Sequence, residues 1–393
     1  MLPAVALGLL ALVASTEVTA APSDRLAAEP QKITLQSRVT PKGHVNAKRA
    51  KAAKAIGVPL DDFFLGTDLQ WFGNISVGTP PQTVSVVFDT GSQTLEFAST
   101  ECTSCTQPNK FDGSKSSTYV RGNRITTLDF ATGVGVDPVV NDDYVLTVRS
   151  GTDTVTVGGV SAKDISLFTI IKQTPKFNID PFLGIQGMGS QAEGFFAALT
   201  RAGLPSLFSY FLTPHTVGNA ELLIGGIDDT KFKGELIYAD QTGDGDWEVE
   251  STQISVNGKT TSILKQSRSV IFDSGTSNIL FDTQTTEAMY ALISPNIKPF
   301  SAEPGAYGLP CSEIDGLPAT IDITFTSQTG TPFNLTIPSS ELNVGPFSSD
   351  PSTCQTLINA FDGIELVGGS LLKHYYSVWD VGNQRMGFAP NGF

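Results

Sequence analysis

The chain has 393 residues, enough for two sizeable cores. Hydrophobic residues make up 40% and charged residues 16%, which suits a soluble globular protein and not a disordered or membrane one. The formal charge of −14 excludes nucleic acid as a partner, because phosphate contacts need lysine and arginine.

In chain order, residues 1–20 read as a secretory signal. The apolar run "AVALGLLALVA" (4–14) is too short to span a bilayer and is followed by the small-residue exit Val18-Thr19-Ala20. Residues 21–56 read as a basic propeptide. They hold eight of the 25 lysines and arginines, crowded into "KGHVNAKRAKAAKA" (42–55), and Lys48-Arg49 suits a dibasic-cutting processing enzyme. The rest of the chain carries 17 bases against 36 acids, so the leader can dock on the body electrostatically. A secreted protein is expected, with delivery to an acidic vacuole as the alternative and no membrane attachment.

Beyond residue 60 the chain consists of short β-type runs split by Gly, Ser, Thr and Asn, such as "TVSVVFD", "TIDITFT" and "YYSVWDV". Helical patterns are confined to 193–204, 283–293 and a possible segment at 354–361. An all-β protein with minor helices follows. Four cysteines in a secreted chain favour disulfides; three pairings are possible, and Cys102–Cys105 with Cys311–Cys354 is the one expected. "CTSC" (102–105) has no second CxxC or neighbouring His, so no metal site is expected. Asn74 and Asn334 open glycosylation sequons, and Asn334 is preferred because Asn74 lies in a strand-like run.

A long repeat organises the body. "SVVFDTGSQTLEF" (85–97) and "SVIFDSGTSNILF" (269–281) are near-copies, and each puts one acid at the end of an apolar run, followed by a hydroxyl and a glycine. Asp89 is followed 95 residues later by Gly184 in "FLGIQG", and Asp273 by Gly368 in "ELVGGS" at the same spacing. Two homologous lobes related by a pseudo-twofold axis would bring the two acid loops face to face. The lobes are expected at 57–235 and 236–393.

A two-lobed β chain with FDTGS in one half and FDSGT in the other resembles the pepsin family of aspartic endopeptidases. The likeness runs from about residue 60 to the end, through "WFGNISVGTPPQ" (71–82), "SSTY" (116–119), "LPSLFSYFL" (204–212), "LLIGGID" (222–228) and "YYSVWD" (375–380). It implies the bilobal pepsin-like fold with a cleft between the lobes. It also implies Asp89 and Asp273 as catalytic, a loop-locking role for Thr90 and Ser274, cleavage of protein or peptide substrates, inhibition by pepstatin-type compounds and a monomer. A flap is implied at "DFATGVG" (129–135), with Phe130, Ala131, Thr132 and Gly133 over the substrate; "DPVVNDDYVLTVRS" (137–150) would lengthen its hairpin. The chain departs from the family at three places: Phe130 replaces the flap tyrosine, Glu96 its tryptophan partner, and Gly369 an aspartate.

The residue types fit the chemistry. Gly91 and Gly275 allow a tight loop and close backbone approach, while Thr90, Ser92, Ser274 and Thr276 supply hydroxyls beside the acids. That two adjacent carboxyls share one proton is a general property of aspartic proteases, taken as such here. The ionised acid then takes a proton from a water between the pair, and the protonated one hydrogen-bonds the scissile carbonyl. No cofactor is expected. Apolar positions such as Phe130, Phe182, Ile279 and Phe281 suggest large hydrophobic residues around the cut. A serine or cysteine triad lacks material, since the three histidines are His44, His215 and His374 and there is no G-x-S-x-G elbow. "DQTGDGDWEVES" (240–251) mimics a calcium loop but ends in Ser251 where a bidentate Glu belongs. Paired carboxylates also serve glycosidases. The remaining alternative is a catalytically weak or inactive pepsin-like peptide binder.

Overall fold

The strand Gln82–Asp89 shows how the fold treats its acids. In its outer half only Val84 is buried, but Val86, Val87, Phe88 and Asp89 are all buried. The inner half is covered on both faces, as a central strand must be. It pairs antiparallel with Asp68–Val77 on one side and parallel with Gly184–Gly187 on the other. The computed structural model describes residues 55–132, 143–191, 194–201, 203–243 and 245–392. The signal, nearly all of the propeptide and Gly133 lie outside these. Ile56, placed in the propeptide by sequence, already begins the strand Ile56–Phe64, where it pairs with Ile224.

The second half repeats the device. Arg268–Phe272 runs parallel to Leu366–Val367 and delivers Asp273 just past its end. In each half the strand after the acid loop then pairs antiparallel with the partner strand: Leu95–Ala98 with Gly184–Gly187, and Ile279–Phe281 with Leu366–Val367. The equal spacing of Gly184 and Gly368 has a steric cause. A Cβ on Gly184 would collide with the Glu96 carbonyl, and one on Gly368 with the Thr276 and Asn278 carbonyls, so only glycine lets the strands pass.

The fold is the all-β bilobal pepsin-like one. A 13-stranded sheet runs from Ile237–Asp240 and the final strands Tyr375–Asp380 and Arg385–Pro390 through to the hairpin of Val120–Asp129 and Val145–Val157. A seven-stranded sheet carries Asp273, and a four-stranded sheet flanks it. Where the sheets meet, Phe208, Tyr210, Trp247 and Trp379 form a fully buried aromatic cluster, with Phe208 stacked on Trp379 at 5.8 Å and Trp247 edge-on to it at 5.3 Å. Trp247 also donates its indole N–H to the Met188 carbonyl at 2.9 Å.

The helix Thr283–Ile293 forms as expected, capped by Asp282, whose carboxylate accepts the Thr285 N–H at 2.7 Å. A shorter one, Phe195–Arg201, lies within the expected segment 193–204. The third is corrected: 354–361 holds the strands Thr353–Thr356 and Ile358–Ala360. Its apolar spacing is compatible with a helix, but Cys354 is bonded to Cys311 and paired with Leu309, and Ile358 pairs with Ile279. Cys102–Cys105 is the other disulfide, so the expected pairing is the one observed. Asn74 and Asn334 both lie exposed in strands, so strand location does not separate them; Asn334 is on a sheet-edge strand and Asn74 on an internal one. No helix among the described residues is long and apolar enough to cross a membrane.

Gly369 is explained by its neighbour. A Cβ there would lie 2.5 Å from the Trp71 ring, whose N–H donates to the Thr213 carbonyl at 3.0 Å and fixes the indole in place. The large residue fills the room that an aspartate would need. Gly369→Ala should therefore destabilise the protein by about 1–3 kcal/mol through overpacking, read as a lowered Tm.

Candidate active site

The two acid loops hold each other. The Thr90 N–H donates to Ser274 Oγ at 3.0 Å, and the Ser274 N–H donates to Thr90 Oγ1 at 2.8 Å. Each hydroxyl passes its own proton to the opposite strand: Thr90 Oγ1 to the Phe272 carbonyl at 3.1 Å and Ser274 Oγ to the Phe88 carbonyl at 2.8 Å. Four buried bonds thus tie loops 184 residues apart in sequence. Tyr210, from the strand Phe208–Phe211, also donates to the Phe88 carbonyl at 2.7 Å.

The glycines make room for the acids. A Cβ on Gly91 would lie 2.6 Å from Asp273 Cγ, and one on Gly275 would lie 2.5 Å from Asp89 Cγ. Each loop backbone therefore packs directly on the other loop's carboxyl. The Gly91 N–H donates to Asp89 Oδ1 at 2.8 Å and the Gly275 N–H to Asp273 Oδ1 at 2.7 Å, so the two halves are near mirror copies in bonding. Thr276 donates to Asp273 Oδ2 at 2.5 Å, and the Ser92 hydroxyl lies against Asp89 in the corresponding place. Burial, then the charge and hydrogen bonding of Asp273, raise the Asp89 carboxyl well above the usual carboxylate range.

Both acids line a cavity of about 540 Å³. Phe130, Ala131 and Thr132 line it too. The hairpin strands beside them pair as far as Asp129 with Val145, so part of the 137–150 segment does extend the hairpin. The Thr276 hydroxyl also lies 2.8 Å from Thr132 Oγ1, a hydrogen bond that ties the residue after Ala131 to the acid loop. Phe182 lines the cavity, but Ile279 and Phe281 do not: they are fully buried core residues, because their short strand is covered on both faces.

A sequence model of the eukaryotic aspartyl protease family matches residues 70–391. The chain belongs to that family. It is 32% identical to cathepsin D of Dictyostelium discoideum over 84% of this chain and 85% of the relative. Pepsin A of Sus scrofa is 30% identical over 86% of each chain, and cathepsin E-B of Xenopus laevis 30% identical over 82% of this chain and 80% of the relative. It is an aspartic-type endopeptidase, a hydrolase whose family acts on proteins.

For an aspartic endopeptidase, sequence reading missed several residues of this site. Gln70 donates its amide to the Gly275 carbonyl, and Ser277 donates to the Leu69 carbonyl at 2.6 Å, so the strand Asp68–Val77 braces the second acid loop. Gln70 directly precedes the "WFGN" run, and its polarity between buried neighbours was the available signal. Asp180 and Asp246 also line the cavity. Glu96, noted from sequence as a departure, is 1% exposed in the strand Leu95–Ala98 and faces the same cavity. Burial pushes its carboxyl up to about 8.

That shift has a stability consequence. Below pH 4.5 Glu96 is neutral in both folded and unfolded chains, so it costs nothing. Between 4.5 and about 8 the unfolded chain ionises while the folded one does not, and stability falls as pH rises. Glu96→Gln removes this penalty and keeps an acceptor for the Thr94 hydroxyl, 2.7 Å from the present carboxylate. We expect the variant to gain about 4 kcal/mol over wild type at pH 8 and almost nothing at pH 4, measured by thermal unfolding at both values.

Proposed function

We propose that Asp89 and Asp273 are the catalytic pair, hydrolysing peptide bonds of proteins at acidic pH through a water activated between them. The observation that carries this reading is the reciprocal bonding of the two loops, which sets each carboxyl against the backbone of the other. One acid ionised and one protonated supplies a base for the water and a donor for the scissile carbonyl, and no covalent adduct is needed. Thr90, Gly91, Ser274 and Gly275 hold the pair; Ser92 and Thr276 support one carboxyl each; Phe130, Ala131 and Thr132 cover the substrate. The apolar walls supplied by Phe130, Phe182, Ile271 and Leu366 favour large hydrophobic residues around the cut.

The precursor is read as a signal (1–20), a basic propeptide (21–56) and two lobes (57–235 and 236–393), exported and activated by acid. Lys48, Lys51 or Lys54 blocks the pair until carboxylates on the body take up protons. Glycans at Asn334 and, second to it, Asn74, a monomeric state and inhibition by pepstatin belong to the same reading. The peptide-binder alternative rests on Glu96 and Phe130, neither of which touches the loop-to-loop bonds.

The sign of the pH dependence follows from Asp89. Its raised proton affinity keeps the single shared proton in place in acid, and activity is lost as pH rises through that affinity. Acidified precursor should therefore cleave protein in a pepstatin-sensitive way, with kcat/KM falling toward neutral pH. Asp89→Asn and Asp273→Asn should each lose at least about 1,000-fold in kcat while keeping the wild-type fold. Full activity in either variant would refute the assignment.

A further inference from the structure

The cavity has a chemical asymmetry that the reaction does not use. Besides the pair, it is lined by four acids, Glu96, Asp129, Asp180 and Asp246, and by no Lys, Arg or His among the described residues. Two of these acids are deeply buried on the side of the strands Leu95–Ala98 and Gly184–Gly187. Glu96 is 1% exposed and Asp180 8%, and Glu96 Oε1 and Asp180 Oδ1 have no hydrogen-bond partner. The oxygens of Gln70 and Gln93, also in the lining, are equally unpartnered.

Every one of these orphan groups except a protonated carboxyl is purely an acceptor. Among the cavity's donors the Ser92 hydroxyl, beside Asp89, is unpartnered, but the side-chain amides of two lining glutamines are committed. Gln107 gives its amide to the Phe177 carbonyl at 2.7 Å, and Gln173 gives its own to Asn178 at 2.9 Å. An apolar side chain entering here would leave all of the acceptors unmet, at about 1–3 kcal/mol each. A neutral amide brings one acceptor for its two donors. Only an ammonium or guanidinium group is all donor. The same cavity is also lined by apolar side chains, including Phe130, Leu146, Ile170 and Phe177. A long methylene stem against apolar walls with a cationic head among acceptors is the shape of lysine or arginine.

We infer that one substrate-side-chain pocket of this cavity is built for lysine or arginine, with Glu96 as counter-ion and Asp180 as second acceptor. Glu96 thus replaces an aromatic wall by a charge selector, and the enzyme cuts beside, or one residue removed from, a basic residue. The inference rests on the peptide-cleaving reading and sets one pocket apart from the hydrophobic preference of the others. Occupation also moves a proton. The ionisable groups around the pocket are Asp89, Asp129, Tyr144, Asp180, Asp246 and Asp273, none of them cationic, so the empty pocket keeps Glu96 protonated in acid. An entering cation favours the carboxylate, and Glu96 releases its proton to solvent.

The test is a positional set of peptides carrying lysine, norleucine or glutamine at each of three positions on either side of the cut. Wild type should favour lysine over norleucine at one position by about 10- to 100-fold in kcat/KM. That ratio should fall to within about threefold in Glu96→Gln and part of the way in Asp180→Asn. Calorimetry with uncleavable hydroxyethylene peptides reads the same pocket without catalysis. The lysine peptide should bind more tightly and release about one proton at pH 5, and the release should vanish in Glu96→Gln. If no peptide is cut, the catalytic reading fails, and these affinities still decide the pocket. Norleucine or glutamine binding as well as lysine at every position, or a lysine preference that survives Glu96→Gln, would overturn the inference.

Discussion

The structure depends on one contact, the exchange of hydrogen bonds between Thr90 and Ser274. Two carboxyls brought together repel each other once ionised, and burial makes that repulsion larger. They stay together only because the loops that carry them are tied by bonds that do not involve the carboxyls. The hydroxyl of each loop takes the other's N–H and gives its proton to the strand beyond, so no buried polar group in the exchange is left over. The parallel strand pairs, the glycines at 184 and 368 and the aromatic cluster beneath all serve to bring these two residues within reach.

Much of this was legible in the sequence, for a definable reason. Duplication writes the same local solution twice, so the strand, the acid, the hydroxyl and the glycine of one half confirm those of the other. The common 95-residue spacing even located the partner strands, because a glycine is required wherever two backbones cross that closely. What was not legible depends on contacts between segments that share no pattern. The 354–361 segment has helix-like spacing, and only the bond from Cys354 to Cys311 and the pairing with Ile279 make it extended. Ile279 and Phe281 looked like cleft walls because their strand leads away from Asp273; it is instead an internal strand, flanked at its two edges by the strands of Ile358 and Val367 far along the chain, and its side chains are fully buried.

Glu96 shows both sides of this limit. As a residue, it stood out against the family pattern. Its setting did not, since Asp180, which shares its cavity, comes 84 residues later and carries no motif. The outcome is a site with two electrostatic characters: a pair held by a Thr90–Ser274 exchange whose donors and acceptors are matched, and beside it a group of acceptors left unmatched. The first is what the chemistry needs, and the second is what a substrate can complete.

The most direct test of the account is a carboxyl-resolved NMR titration of the mature protein, counting the protons held by Asp89 and Asp273 together. The account predicts two well-separated steps, with one proton still shared by the pair above the pH at which ordinary aspartates have ionised. Two independent titrations at ordinary aspartate values would contradict it, because carboxyls that ionise without sensing each other cannot be held on a single water.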